Sequence, residues 1–154
     1  MGIKIRDELG ILRTVTRIRF RDAGNILRTI QTVKMRDASN TLRTVFTYLS
    51  AALSTTVLIG VDSGASASGD VTSGSITCNV TGGTGPFTYN WQLVSGTALV
   101  TIDSPTSAST TFTVTGAFDG VDYNATFKCV VTDANGIVAE SNTVFVQIYW
   151  VNTA

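Results

Sequence analysis

Three near-copies of a 15-residue unit occupy the front of the chain, and they restrict its fold more than any other feature. Arg6-Asp7, Arg21-Asp22 and Arg36-Asp37 recur 15 residues apart, and so do Leu12-Arg13-Thr14, Leu27-Arg28-Thr29 and Leu42-Arg43-Thr44. Apolar positions keep the interval: Val15, Ile30 and Val45; Ile18, Val33 and Tyr48; Phe20 and Met35. A unit this short cannot bury its own apolar side, so neighbouring units or neighbouring chains must cover it. Ile18 and Phe20 alternate with Arg17, Arg19 and Arg21, the period of a half-buried strand. Asp22-Ala23-Gly24-Asn25 and Asp37-Ala38-Ser39-Asn40 are clusters of turn formers. Each unit reads as strand, turn, strand, with arginines on the wet face. The spacing of Leu12, Val15 and Ile18 would also suit a helix, but the dense Thr, Val and Ile content weighs against one.

Three units are few for a free-standing solenoid. The front region is therefore expected to be completed by oligomerisation. The pairs Arg6 and Asp7, Arg21 and Asp22, and Arg36 and Asp37 are the candidate assembly contacts. At exposed sites each ion pair would add only about 0–1 kcal/mol.

Charge divides the chain in the same place. Residues 1–43 hold ten of the eleven Lys and Arg but four of the eleven acids, a net +6 that leaves −6 for residues 44–154. Each part can seek an oppositely charged neighbour. The arginines are numerous enough to neutralise several phosphates. They are evenly spread, however, and only Phe20, Phe46 and Tyr48 lie among them, so no stacking platform for bases is evident. Nucleic acid is not the expected partner.

Residues 44–61 carry no charge over 18 positions, the lower edge of a membrane span. Seven of them are Thr, Ser or Gly, and the β-branched residues favour strands. A strand, a short linker and a second strand is the expectation. Met1 leads directly into Gly-Ile-Lys-Ile-Arg-Asp with no apolar leader, so no secretory signal is read. Residues 62–75 are rich in Gly and Ser and read as linker or long loop.

Beyond them, short alternating strands are separated by turn signals, the pattern of an all-β sandwich. Ile76, Cys78 and Val80 share one face, as do Phe87, Tyr89, Trp91 and Leu93, then Phe112 and Val114, then Phe127, Cys129 and Val131. Asp133-Ala134-Asn135-Gly136 is a hairpin turn, and residues 143–150 close the sheet.

Cys78, Trp91 thirteen residues on, and Cys129 resemble the cysteine–tryptophan–cysteine pattern of immunoglobulin-like sandwiches. The stretch from Val80 to Gly96, "VTGGTGPFTYNWQLVSG", resembles bacterial Ig-like and PKD-like modules, in which a glycine-rich turn with proline leads into an aromatic strand. Trp91 is the core marker that this resemblance implies. If the sulfurs of Cys78 and Cys129 meet, a disulfide would join the two sheets, worth roughly 4 kcal/mol in the chain-entropy view; the alternative is two buried thiols. The tandem front repeats resemble those of small structural proteins of tailed bacteriophages, which also often carry Ig-like surface domains.

Chemistry is sparse. The chain has no histidine, which removes His-based triads and His metal sites. Cysteines 51 residues apart are not a zinc pattern. Gly82-Gly83-Thr84-Gly85 lacks the Gly-Lys-Ser/Thr of a phosphate loop, and Pro86 leads into a strand. Asp119, Asp122 and Asp133 could hold calcium at one end of a sandwich, though loop solvation explains them as well. No catalytic residue, cofactor or metal is expected.

The fold expected is all-β: hairpin or meander repeats over 1–50, a strand and Gly/Ser-rich linker over 51–73, and an Ig-like sandwich over 74–154. The expected function is structural and non-enzymatic. It is that of a phage-particle protein at a tail tip, fibre or capsid surface, assembled in the host cytoplasm. Its partners would be further copies of itself and other virion proteins, and the outer domain could touch host-surface glycan. The alternative is a carbohydrate- or surface-binding accessory module. An exposed aromatic row on the sandwich would favour glycan binding, and an exposed apolar face on the front repeats, buried only in an oligomer, would favour assembly.

Overall fold

A computed structural model describes residues 48–154 in full and, within residues 1–47, the backbone of six strands. All regular structure among the described residues is β. Two compact units form: Met1–Ser50 with Val80–Phe87 and Thr132–Val138, and Ala51–Asn79 with Thr88–Val131 and Ala139–Ala154.

In the first unit, β1 (Ile3–Arg6) pairs antiparallel with β2 (Leu12–Val15), β3 (Arg19–Arg21) with β4 (Leu27–Thr29), and β5 (Thr32–Arg36) with β6 (Leu42–Thr47). The innermost pairs are Arg6↔Leu12, Arg21↔Leu27 and Arg36↔Leu42, the same relation every 15 residues. Each hairpin is its own two-stranded sheet. Asp7, Asp22 and Asp37 lie outside the described residues, and so do the side chains of Arg6, Arg21 and Arg36, so the expected Arg–Asp contacts fall there too.

The first unit also holds two loops fastened by one carboxylate. Asp133 is buried. Its Oδ1 accepts from the N–H groups of Asn135 and Ile137, both at 2.9 Å, and its Oδ2 accepts from Thr84 N–H at 3.0 Å. Asp133 N–H in turn donates to Ile137 O at 2.9 Å, closing the Asn-Gly turn. Gly136 has φ +77°, a conformation that costs an L side chain strain and glycine almost none.

The second unit is built from β7 (Ser50–Leu53), β8 (Val57–Gly64), β9 (Ser68–Thr72), β10 (Ile76–Thr81), β11 (Thr88–Gly96), β12 (Thr101–Ile102), β13 (Ser109–Thr110), β14 (Phe112–Phe118), β15 (Tyr123–Thr132), β16 (Val138–Glu140) and β17 (Val144–Asn152). One layer has the orders β13-β10-β7 and β12-β14-β9. Because β9 runs on into β10 and β13 into β14, these are two long strands, each interrupted once. The other layer is β11-β15-β17-β8, with β16 also on β15. There β17 pairs antiparallel with β15 and parallel with β8, the latter over eight register positions from Phe145↔Val57 to Asn152↔Gly64. With β7, β9–β10, β12 and β13–β14 in one layer and β11, β15 and β17 in the other, the strand order is that of an Ig-like sandwich.

The layers meet through aromatic rings. Phe112 of β14 stacks on Phe127 of β15 at 4.4 Å between centroids, and Trp91 of β11 meets Phe112 edge-on at 6.2 Å. Phe112 and Phe127 are fully buried, and burial of a side chain this size contributes about 1.5–3 kcal/mol. The alternation expected from sequence appears in β15, where Ala125, Phe127, Cys129 and Val131 are buried and the residues between them are not. Leu93 departs from it: near the end of β11 it is 41% exposed.

Residues 51–73 differ from the strand and linker expected of them. They form β7, β8 and β9, which are sandwich strands. The physical reason lies in Trp150. Its ring packs where Cβ atoms on Gly64 and Gly69 would stand, 2.9 Å and 2.3 Å from the indole carbons. Its Nε1–H donates to Ser66 O at 2.9 Å. The glycines that suggest a flexible linker are the floor on which a tryptophan sits. No helix among the described residues is long and apolar enough to cross a membrane.

Candidate binding surface

The outer face of the β8–β17 pair carries a row of exposed apolar side chains. Phe145 N–H donates to Thr56 O and Thr153 N–H to Gly64 O, each at 2.9 Å. In a parallel ladder of this phase, the even residues of β8 turn their backbone groups to β17 and the odd residues turn theirs away. Val57, Ile59 and Val61 are also the residues whose side chains point outward, each about half exposed (52%, 55% and 53%). Phe145, Gln147 and Tyr149 stand beside them in register. Phe145 is 41% exposed, Tyr149 is half-buried, and Gln147 separates the two. The sheet therefore presents an aliphatic band with aromatic residues beside it, rather than an aromatic row.

A second feature is a groove of about 370 Å³ lined by Leu99, by Thr101 of β12, by Val114, Gly116 and Phe118 of β14 and by Tyr123 of β15, among others. Leu99 and Phe118 are strongly exposed at its rim, at 62% and 58%. The buried Tyr123 hydroxyl accepts from Phe118 N–H at 3.2 Å, and Asp70 Oδ1 accepts from Gly116 N–H at 2.8 Å. These bonds fix the β14 bend where its register against β9 shifts between Val114 and Ala117.

Cys78 and Cys129 are brought together. Both are buried free thiols, one on each layer. A hydrogen bond from the Cys129 thiol favours a thiolate at Cys78 and lowers its pKa against the opposing effect of burial. Holding that bond, burial and the neighbouring charge push Cys129 far above the ordinary thiol range. The pair thus gives up one proton far more readily than two. Both thiols are core groups, buried as Phe112 and Phe127 are. Trp91 is likewise buried, its Nε1–H donating to Ser107 O at 2.8 Å.

The three aspartates noted in the sequence do not form one site. Asp133 spends its oxygens on backbone N–H groups of the first unit, whereas Asp119, in the second, accepts from Asn152 N–H at 3.0 Å. No group of three potential metal ligands occurs among the described residues. Lys128 is the one cation in residues 48–154, and it pairs with Glu140 at 2.9 Å.

Sequence reasoning missed the band on β8. Val57-x-Ile59-x-Val61 was legible as an alternation, but Leu58 between them made the run look uniformly apolar. Gly60 on the inner side was the available signal, because a glycine inside a strand marks close approach. A Cβ there would lie 3.2 Å from both Ile148 Cγ1 and the Ser73 backbone.

No protein-family model matches the chain, and no curated protein matches it. Among solved structures, it is similar to the PKD domain from KIAA 1837 protein at 21% identity and TM-score 0.32, over 44% of this chain and 60% of that one. It is similar to a nucleoside hydrolase-related hypothetical protein from Saccharophagus degradans, associated with carbohydrate metabolism, at 16% identity and TM-score 0.37, over 78% of this chain but only 25% of that one. It is also similar to the Dscam1 Ig7 domain, isoform 9, at 17% identity and TM-score 0.29, over 60% of this chain and 96% of that one. The Ig-like assignment rests on the strand order described above.

Proposed function

We propose that the chain is a non-enzymatic structural protein that anchors itself in an assembly through residues 1–47 and displays the sandwich outward. The observation that carries this reading is the recurrence of one hairpin register, Arg6↔Leu12, Arg21↔Leu27 and Arg36↔Leu42, in three separate two-stranded sheets. An isolated two-stranded hairpin is marginally stable at best in water. Three equivalent ones call for cover, and further copies of the chain or other proteins of the assembly would supply it. The aliphatic band on β8 adds to this reading, since exposed apolar surface suits protein contact better than sugar contact. The resemblance of the tandem repeats to those of tailed-phage structural proteins makes a phage particle the assembly proposed, at its tail tip, fibre or capsid surface.

A second reading, an accessory module that binds a surface glycan, is favoured by the groove beside Leu99 and Phe118, which joins an exposed ring to hydroxyl groups of Thr101 and Tyr123. The deciding measurement is the native mass of the full chain beside that of a chain lacking residues 1–47, with circular dichroism to verify that the sandwich remains folded. A defined oligomer that falls apart on truncation is expected. A folded, monomeric full chain overturns the anchor and moves weight to the accessory module.

A further inference from the structure

We infer that β8 is a docking edge for a second copy of this chain, which pairs with it antiparallel about a two-fold axis at Ile59. This rests on the assembly reading above and names one of its contacts.

The first support is backbone chemistry. β8 ends the β11-β15-β17-β8 sheet, and the ladder phase set by Phe145 N–H on Thr56 O aims the N–H and C=O of Val57, Ile59, Val61 and Ser63 away from β17. Side chains occupy the flanks of that row. Thr55 Oγ1 donates to Val57 O at 3.0 Å and accepts from Val57 N–H at 3.4 Å, and Asp62 Oδ1 accepts from Ser63 N–H at 2.8 Å. The outward groups of Ile59 and Val61, between those flanks, meet no partner among the described residues. Another strand is what satisfies such a row.

The second support is what the edge lacks. Exposed edges are ordinarily blunted with lysine, proline, a bulge or an inward charge. Val57–Val61 has no charge and no proline, and its eight register pairs with β17 run without a bulge.

The third support selects the occupant. An antiparallel pair centred on Ile59 sets Ile59 against Ile59 of the second copy and Val57 against its Val61, all on the outer face, while Leu58 falls opposite its Gly60. The one charged residue of β8, Asp62, faces Thr56 of the second copy, so no like charges meet. An uncharged row matches an uncharged row. The strands within residues 1–47 carry nine Lys and Arg and would set cations against it. Such a pairing is isologous, as a two-fold contact must be.

Sedimentation of the full chain across a concentration series tests this, beside Ile59→Lys and Ile59→Cys. The native side chain is 55% exposed, so both variants are expected to fold, which circular dichroism verifies. Ile59→Lys brings two cations face to face on the axis and is expected to weaken self-association more than about tenfold. Ile59→Cys is expected to cross-link to itself on mild oxidation, because directly opposed residues in hydrogen-bonded antiparallel pairs have Cα atoms about 5.5 Å apart, within disulfide reach. Self-association unchanged by Ile59→Lys, with no cross-link from Ile59→Cys, overturns the β8 contact and leaves assembly through residues 1–47 standing. A full chain that is monomeric throughout overturns both.

Discussion

Ser73 and Phe112 join their two strands where both strands are interrupted. Ser73 N–H donates to Phe112 O at 2.8 Å, and Phe112 N–H donates to Ser73 Oγ at 3.0 Å. The hydroxyl then donates to Gly74 O at 2.9 Å. One side chain therefore takes the place of a backbone acceptor between β9 and β10, opposite the break between β13 and β14. Phe112 carries the central ring of the core, so the position of that ring depends on the join.

Ser73→Ala keeps the backbone bond and removes the acceptor for Phe112 N–H. That N–H is buried, and a buried donor left unpaired costs about 1–3 kcal/mol. A loss of that size in urea unfolding is expected, with unchanged dependence on denaturant concentration. A change below about 0.5 kcal/mol would show that the hydroxyl contributes nothing there.

Gly69 and Trp150 make a second specific pair. A Cβ on Gly69 would lie 2.3 Å, 2.5 Å and 2.7 Å from three indole carbons. Gly69→Ala forces the ring off its seat and threatens the bond from Nε1–H to Ser66 O, at a cost typical of overpacking, about 1–3 kcal/mol. The double variant Gly69→Ala with Trp150→Leu is expected to recover part of that loss, because the clash needs the indole. Urea unfolding of both variants measures it, and additive effects would refute the coupling.

The sandwich was legible wherever alternation ran along one strand. Cys78, Trp91, Phe112, Phe127 and Cys129 announce inward faces because every second residue is polar or small. The β8–β9 segment was not legible. Its glycines and serines match a linker in composition, and the reason for Gly64 and Gly69 is a tryptophan about 80 residues further along the chain. Local pattern carries no information about that distant ring. The same limit hid the β8 band, since an edge is defined by which strand is absent beside it. At the front, the 15-residue period was legible to the residue, and the backbone pairing repeats it.

Cys78 and Cys129 offer a chemical test of the core. Both are free thiols, 2% and 0% exposed, so a thiol reagent at mildly alkaline pH is expected to leave the folded protein unmodified, although Cys78 is the more easily ionised of the two. Unfolding in guanidinium without reductant should then release two reactive thiols per chain. Two thiols that react in the folded state would contradict the packing around Phe127. None in the unfolded state would show that the facing pair has oxidised to a disulfide between the layers, the bond that the Ig-like resemblance brings to mind.

Asp133 holds its loops through charge-assisted bonds to the N–H groups of Thr84, Asn135 and Ile137. Asp133→Ala strands these donors around a buried position, and hydrogen bonds to charged groups contribute roughly 1.5–3 kcal/mol each to stability before partial replacement by water. A total loss of about 2–4 kcal/mol is expected, because part of each loop can turn to solvent. Asp133→Asn keeps one acceptor oxygen and should fall between the variant and the native chain. Hydrogen exchange separates the local effect from the global one: Asn135 and Ile137 amides should lose protection in Asp133→Ala well before the β15–β17 ladder does. Equal loss of protection throughout would mean that Asp133 supports the whole fold rather than its own two loops.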